Sequence, residues 1–471
     1  MEIYHISAEC FPAAKVGGLA DVVGALPKYL NRLGHSARVV IPGYDTKFTR
    51  EREFEEVFSG EIKLGDLRFR YDVVKESGDS LGFALYQIRM PQLFDRPEIY
   101  GYDDDTERFT AFQIAFLDWL TETGAHPDVV HCHDHHTGLI PFMMQHCFGF
   151  GHLKMTPTML TIHNAQYQGG FSFEKVHYLP EFDTVNSGYL EWNGAINPLA
   201  AAIKCVAKLS TVSPSYLEEM THHANGLENL LRFERGKSVG ILNGIDTELW
   251  NPATDTMLTS HYDAERVRSG KASNKKALCK EFGLDENLPV FSFIGRLVYE
   301  KGAELLPEVA RRVLTEFKGK ANLFILGSGD SAVEEHLRAL SHFHREYYNV
   351  YIGYNEQLAH LVYAGSDFLL MPSRVEPCGL NQMYALRYGT VPIVRRTGGL
   401  RDTVVDMGDG GFGICHDQTS VEDVLWSVNR ALQLFADDAS FDAIRRGGMQ
   451  IDHSWNSVAA QYLEEYLNLK K

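Results

Sequence analysis

The chain has 471 residues, 44% of them hydrophobic and 23% charged, and a formal net charge of −17. That length suggests two or three domains at roughly 100–200 residues each, with enough apolar content for sizeable cores. The acidic balance excludes a broad basic face, so neither nucleic acid nor an anionic membrane is an expected partner, while a phosphorylated small molecule still fits a local cationic pocket.

In chain order, short apolar runs alternate with helical patterns, which predicts βαβ units and parallel sheets. IYHISAE reads as the first strand. LADVVGALPKYLNRLG places Leu19, Val22, Val23, Leu26, Leu30 and Leu33 at helical spacing, with a kink expected at Pro27. SARVVIP, DVVHCH, TMLTIHN, LSTVSP and VGILNG follow as strands. Around NGIDTELWNPATD the pattern loosens, and a domain boundary is expected there, between residues 243 and 244. A second series then begins: VFSFIGRL as strand, AELLPEVARRVLTEF as helix, and NLFILG, VYIGY, DFLLMPS and VPIVRR as further strands. SWNSVAAQYLEEYLNL ends the chain as a helix. The fold class is therefore α/β, with two doubly wound domains. Ligands in such sheets bind beyond the carboxyl ends of the strands, which points to a cleft between the domains.

Seven scattered cysteines, without a C-x-x-C, suit free thiols in a reducing compartment. The opening MEIYHISAECF lacks a charged segment followed by a long apolar one, and no run approaches the roughly 18 apolar residues of a membrane span, so a cytoplasmic location is expected.

The residues after the strands carry the chemistry. Lys15-Val16-Gly17-Gly18 reads either as a plain βα turn with a solvated lysine or as a loop that holds an anion with glycine amides, a helix N-terminus and a cation. HCHDHH, His131 to His136, looks like a metal site, but its spacing is not that of a zinc helix. Asp134 at the strand end suits a hydroxyl contact or a cap. His163-Asn164 ends another strand before a glycine-rich loop. Arg296 and Lys301 flank a strand end and a helix start, as a diphosphate requires. Glu376, Cys378 and Gly379 open a helix, and Thr397-Gly398-Gly399 repeats the glycine pair. Cys378 has no histidine beside it in sequence and is a weak nucleophile candidate. Asp103, Asp104 and Asp105 form a D-x-D that reads as a solvated acidic loop rather than a metal site. Cations from both halves, two glycine pairs and polar groups for hydroxyls together suit a nucleotide diphosphate joined to a sugar. A glucan hydrolase built on Asp134 and Glu376 would leave those cations without a purpose.

KVGGLADVVGALP, HCHDHHTGL, TIHNAQYQGG, LNGIDTELWNP, GRLVYEKG, SRVEPCGLNQMYALRYGTVPIVRRTGGLRDTV and SWNSVAAQY occur in that order over essentially the whole chain. This set resembles the bacterial glycogen synthases and plant starch synthases. The resemblance implies the GT-B fold, with two Rossmann-like domains and an active site in the cleft between them. Residues 1–243 would form the acceptor-side, starch synthase catalytic domain, residues 244–455 the donor side, and residues 456–471 a helix crossing back onto the first domain. It implies retaining transfer of glucose from ADP-glucose to the non-reducing end of an α-1,4-glucan such as glycogen, with no cofactor and no metal. By the same resemblance Lys15, Gly17, Gly18 and Asp21 approach the donor. Arg296 and Lys301 neutralise the leaving phosphate. Asp134, His163 and Asn164 lie at the glucose, with His163 near the reacting carbon. Glu376 and the amides of Cys378, Gly379 and Leu380 hold sugar hydroxyls. Thr397 and Gly398 reach the phosphates, and Tyr354 packs on the base. Val16, His135 and Asn381 depart from the family pattern, which more often has threonine, an aromatic and threonine there.

Overall fold

The structure, a computed structural model, describes residues 1–470 and divides into two compact units. The first holds Met1–Gly244 and the chain from Trp455 on; the second holds Ile245–Ser454. No helix among the described residues is long and apolar enough to cross a membrane.

The first unit is built on strands β1 (Glu2–Ile6), β2 (Ser36–Pro42), β3 (Phe54–Leu64), β4 (Leu67–Glu76), β5 (Ala84–Arg89), β6 (Val129–His133) and β7 (Thr158–Ile162). A small three-stranded sheet of β8 (Phe171–Ser172), β9 (Glu191–Trp192) and β10 (Ala195–Ile196) follows, then β11 (Lys208–Thr211) and β12 (Ser238–Gly240). The main sheet runs β12-β11-β7-β6-β1-β2-β5-β4-β3. It is parallel from β12 to β5, while β4 and β3 add as antiparallel strands. β6 and β7 are buried at every position, as strands covered on both faces must be.

The antiparallel edge is not among the sequence expectations. β3 reads FEEVFSGEIKL and is largely solvent-facing, so charge interrupts the apolar run that marks a buried strand. The run VGILNG contributes only its first two residues to β12, which covers Ser238–Gly240.

The helix Gly18–Arg32 continues through the buried Pro27 and packs Val22, Leu26, Tyr29 and Leu30 against Ile3 and Met159. The last helix, Trp455–Leu469, lays Trp455, Val458, Tyr462 and Tyr466 on the same core. Lys208 to Glu465 (2.7 Å) adds an ion pair at this seam.

In the second unit β13 (Val290–Ile294), β14 (Asn322–Gly327), β15 (Tyr348–Ile352), β16 (Phe368–Met371), β17 (Val391–Arg395) and β18 (Ile414–His416) form one parallel sheet in the order β15-β14-β13-β16-β17-β18. Its core joins Phe291, Phe293, Ile325 and Phe368 to the helices Leu306–Glu316 and Val421–Phe435.

Each sheet has one topological switch point. In the first unit the chain leaves β1 for β2 on one side and returns as β6 on the other. In the second unit it leaves β13 for β14 and returns as β16. A crevice opens beyond the carboxyl ends at such a point, and ligands bind there.

Candidate active site

Both switch points carry sequence-singled residues. Lys15 to Gly18 follow β1, Asp134 follows β6, and His163 with Asn164 follow the neighbouring β7. Arg296 and Lys301 follow β13, Glu376 to Leu380 follow β16, Thr397 and Gly398 follow β17, and Tyr354 follows the edge strand β15.

In the first unit the glycine loop is already organised by a residue that the sequence reading missed. Glu9, buried three residues beyond β1, accepts hydrogen bonds from the main-chain N–H of Val16 (2.6 Å) and Gly17 (2.9 Å) through Oε2. Tyr100 O–H donates to its Oε1 at 2.7 Å. The amide of Gly17 therefore serves Glu9, and Gly18 opens the helix, whose N-terminus has no side-chain cap. Lys15 Nζ lies 2.6 Å from Asp21 Oδ1 and 5.2 Å from the Phe11 ring centroid. A buried glutamate eight residues ahead of a glycine pair has no motif of its own; only the turn geometry reveals it. The Val16 side chain is exposed.

A Cβ added at Gly17 or Gly18 would meet nothing within 4 Å. Gly17 has φ −141° and ψ −166°, which any residue can adopt, and Gly18 is helical. The fold's own packing does not require glycine at either place.

Asp134 has φ +56° and is half-buried. Its Oδ1 accepts the main-chain N–H of His163 at 2.7 Å. Burial pushes the carboxyl up to about 7, against the pull of the amides of His163 and Asn164. The His163 ring sits with Nε2 3.0 Å from His133 Nδ1, and burial pushes its pKa down to about 3. Asn164 Oδ1 accepts from Gln166 N–H at 3.0 Å and shapes the loop behind. His135 is held at 3.1 Å by the Tyr167 carbonyl, to which its Nδ1 must donate.

The HCHDHH run contributes to a buried polar cluster in which one ring nitrogen from each of three histidines lies within 4.8 Å of the others. His5, His131 and His133 come together in the core. The His131 and His133 rings stack at 4.2 Å and 24°. Five of the six ring nitrogens are engaged: His131 with Tyr466 O–H and Thr161 Oγ1, both at 2.7 Å, and His133 with His5 and His163. The acidic loop is likewise committed. Asp104 takes both terminal nitrogens of Arg96 (2.6 and 2.7 Å), and Asp105 takes the buried Arg108 and the Gly101 amide.

In the second unit Lys301 and Glu376 form a close pair. Lys301 Nζ lies 2.6 and 2.7 Å from the two Glu376 oxygens, and Ser373 O–H donates to Oε2 at 3.0 Å. Glu376 is only 5% exposed. Arg296 stays open, its side chain 57% exposed and 3.7 Å from Glu300. The Glu300 carbonyl accepts from the amides of Arg374 (2.8 Å) and Val375 (3.2 Å), which ties the loops after β13 and β16 together. Arg395 braces the second loop by donating to the Arg374 carbonyl at 2.9 Å.

The Thr397-Gly398-Gly399 turn docks backbone to backbone on that loop. Gly399 N–H donates to the Glu376 carbonyl at 3.0 Å. Gly398 has φ +44°, and a Cβ there would stand 2.0 Å from the Glu376 carbonyl oxygen. Its glycine is thus demanded by packing. Gly379 has φ +74°, and Cys378 is buried like the other six cysteines, all free thiols. Asn381 donates to the Ile294 carbonyl at 2.7 Å, fastening the start of its helix to the end of β13. Tyr354 is 79% exposed.

A family model described as "Starch synthase catalytic domain" matches residues 2–233, and one described as "Glycosyl transferases group 1" matches residues 274–441. The chain is 57% identical to a glycogen synthase of Flavobacterium johnsoniae, over 99% of this chain and 98% of the relative. The chain belongs to the glycogen and starch synthase family. Members of this family are glycosyltransferases, and so is this protein. The catalytic domain of starch synthase IV from Arabidopsis thaliana, solved with ADP and acarbose, superposes with a TM-score of 0.90 at 32% identity, covering 100% of this chain and 99% of that one. A sucrose-phosphate synthase from Thermosynechococcus elongatus shares the fold alone, with a TM-score of 0.64 at 17% identity, covering 99% and 98%. The two α/β units are the two Rossmann-like domains of a GT-B glycosyltransferase.

Proposed function

We propose that the protein transfers glucose from ADP-glucose to the non-reducing end of an α-1,4-glucan, with retention at the anomeric carbon and release of ADP. The first unit serves the acceptor side and the second the donor nucleotide. The reading fits the relatives named glycogen synthase and the related starch synthase solved with ADP.

The observation that carries the reading is the open space at Gly17 and Gly18. Glycine where the chain itself has no need of it leaves room for a ligand to come close to the backbone. The Gly18 end of the helix and Lys15 then face an anionic or polyhydroxyl group. As the glucosyl bond breaks, charge builds on the ADP phosphate. Arg296 and Lys301 stabilise it, with Thr397 and Gly398 on the phosphate side. Lys301 is held ready by Glu376, so the cation needs little reorganisation as the charge develops. Glu376 and the amides of Cys378, Gly379 and Leu380 take glucose hydroxyls. Asp134 and Asn164 shape the strand end that presents His163 to the glucose. Tyr354 packs on the base. The acceptor hydroxyl attacks from the face the phosphate leaves, and the phosphate takes its proton.

Gly18→Ala tests this. The fold tolerates the methyl group, so the melting temperature is expected to stay within a few degrees. The KM for ADP-glucose is expected to rise at least tenfold. An unchanged KM with an unchanged melting temperature contradicts the reading.

A further inference from the structure

Behind His163 runs a line of buried imidazoles that the proposed chemistry does not use. His163 Nε2 is 3.0 Å from His133 Nδ1. His133 Nε2 is 3.1 Å from His5 Nδ1. His5 Nε2, at the far end, is buried without a hydrogen-bond partner. His5, His131 and His133 are fully buried. His131 lies flat on His133 and is itself fixed from both sides, by Tyr466 of the last helix and by Thr161 of β7.

A neutral imidazole carries one donor and one acceptor, and the hydrogen bond at one nitrogen sets the state of the other. Burial holds all of these rings neutral at physiological pH, with His5 and His163 each pushed down to about 3. Only two proton orders then satisfy both contacts. In one, each Nδ1–H donates toward His163. In the other, each Nε2–H donates away from it. The second order puts a proton on His5 Nε2, an orphaned N–H in the core, which folded proteins rarely tolerate. The first leaves there only a bare lone pair.

We propose that His5 and His133 are positioning residues that hold His163 as its Nδ1–H tautomer, so that the ring presents a donor to a sugar oxygen. The inference rests on the reading that His163 faces the glucose. No described residue partners His163 Nδ1, so that N–H is available to a ligand. The remote end of the line, His5, sets the proton order without touching substrate.

The test labels the histidines of the full chain with ¹⁵N and reads ring protonation from multiple-bond ¹⁵N–¹H correlations, with His163→Gln assigning the His163 signals. The expected spectrum shows His163 protonated at Nδ1 and bare at Nε2. His5→Phe removes the terminal donor. It is expected to mix the His163 tautomers and to lower kcat roughly tenfold, the scale of outer-partner losses, with little change in the KM for ADP-glucose. His5→Gln, whose amide can still donate to His133, is expected to restore both. A wild-type His163 protonated at Nε2 overturns the proposal, and so does a His5→Phe protein with unchanged tautomer and kcat. If His5→Phe fails to fold, the wild-type spectrum decides alone. A wild-type protein with the expected spectrum but no transfer from ADP-glucose upholds the proton order and overturns only the glucosyl-transfer reading.

Discussion

At the scale of single residues, Lys301 and Glu376 each need the other. The carboxylate is buried, and the ammonium is its closest partner. Lys301→Met leaves a buried charge with only Ser373 for company. It is expected to cost roughly 1–3 kcal/mol of stability and about 10²–10³ in kcat, read by urea unfolding and by ADP release. Loss of stability without loss of rate would make the pair purely structural. Asp134 gives a pH signature. Its carboxyl titrates near 7 when folded, against about 3.9 in an unfolded chain. Between those values the folded state keeps a proton that the unfolded state has lost. Asp134 therefore lowers stability as pH rises through that window, by up to about 4 kcal/mol above pH 7. Asp134→Asn can still accept the His163 N–H but removes the titration. From pH 5 to pH 8 its unfolding free energy should gain on the wild type; parallel curves would contradict the buried-acid account.

At the scale of elements, the buried parallel strands were legible because apolar runs bounded by turn residues announce them. β13 to β17 match the runs VFSFIGRL, NLFILG, VYIGY, DFLLMPS and VPIVRR. β3 and β4 were not, because an edge hairpin with a wet face mixes charge into its pattern. The strand-end positions of the candidate site were legible where a motif ends a strand, as at Lys15, Arg296, Glu376 and Thr397. It was illegible where a role depends on a contact across the fold. Glu9 looks like any acidic residue until its carboxylate is seen on the Val16 and Gly17 amides. The two glycine pairs looked alike in sequence and differ in space: the first has room for a ligand, the second is a backbone contact. Gly398→Ala is accordingly expected to destabilise the protein by several kcal/mol, through positive φ and a clash with the Glu376 carbonyl. A melting temperature within a degree or two of wild type would contradict that. The last helix makes a similar link. Tyr466→Phe strips His131 of a partner at Nδ1 and is expected to cost about 1–3 kcal/mol, measured by urea unfolding; an unchanged midpoint would show that contact to be idle.

At the scale of the whole molecule, two α/β units each place charged and glycine-rich loops at a strand switch point, on a chain whose net charge is −17. Lys15 stands at the first of these points and Arg296 and Lys301 at the second, so each unit of an acidic chain carries a local cationic spot there. Family membership makes the protein a glycosyltransferase; the donor remains the central claim. The direct measurement incubates the full chain with glycogen and, separately, ADP-glucose or UDP-glucose, and follows the nucleoside diphosphate released. The account predicts glucan-dependent ADP release that clearly exceeds UDP release. Equal or faster use of UDP-glucose, or ADP release that does not depend on the glucan, would contradict it.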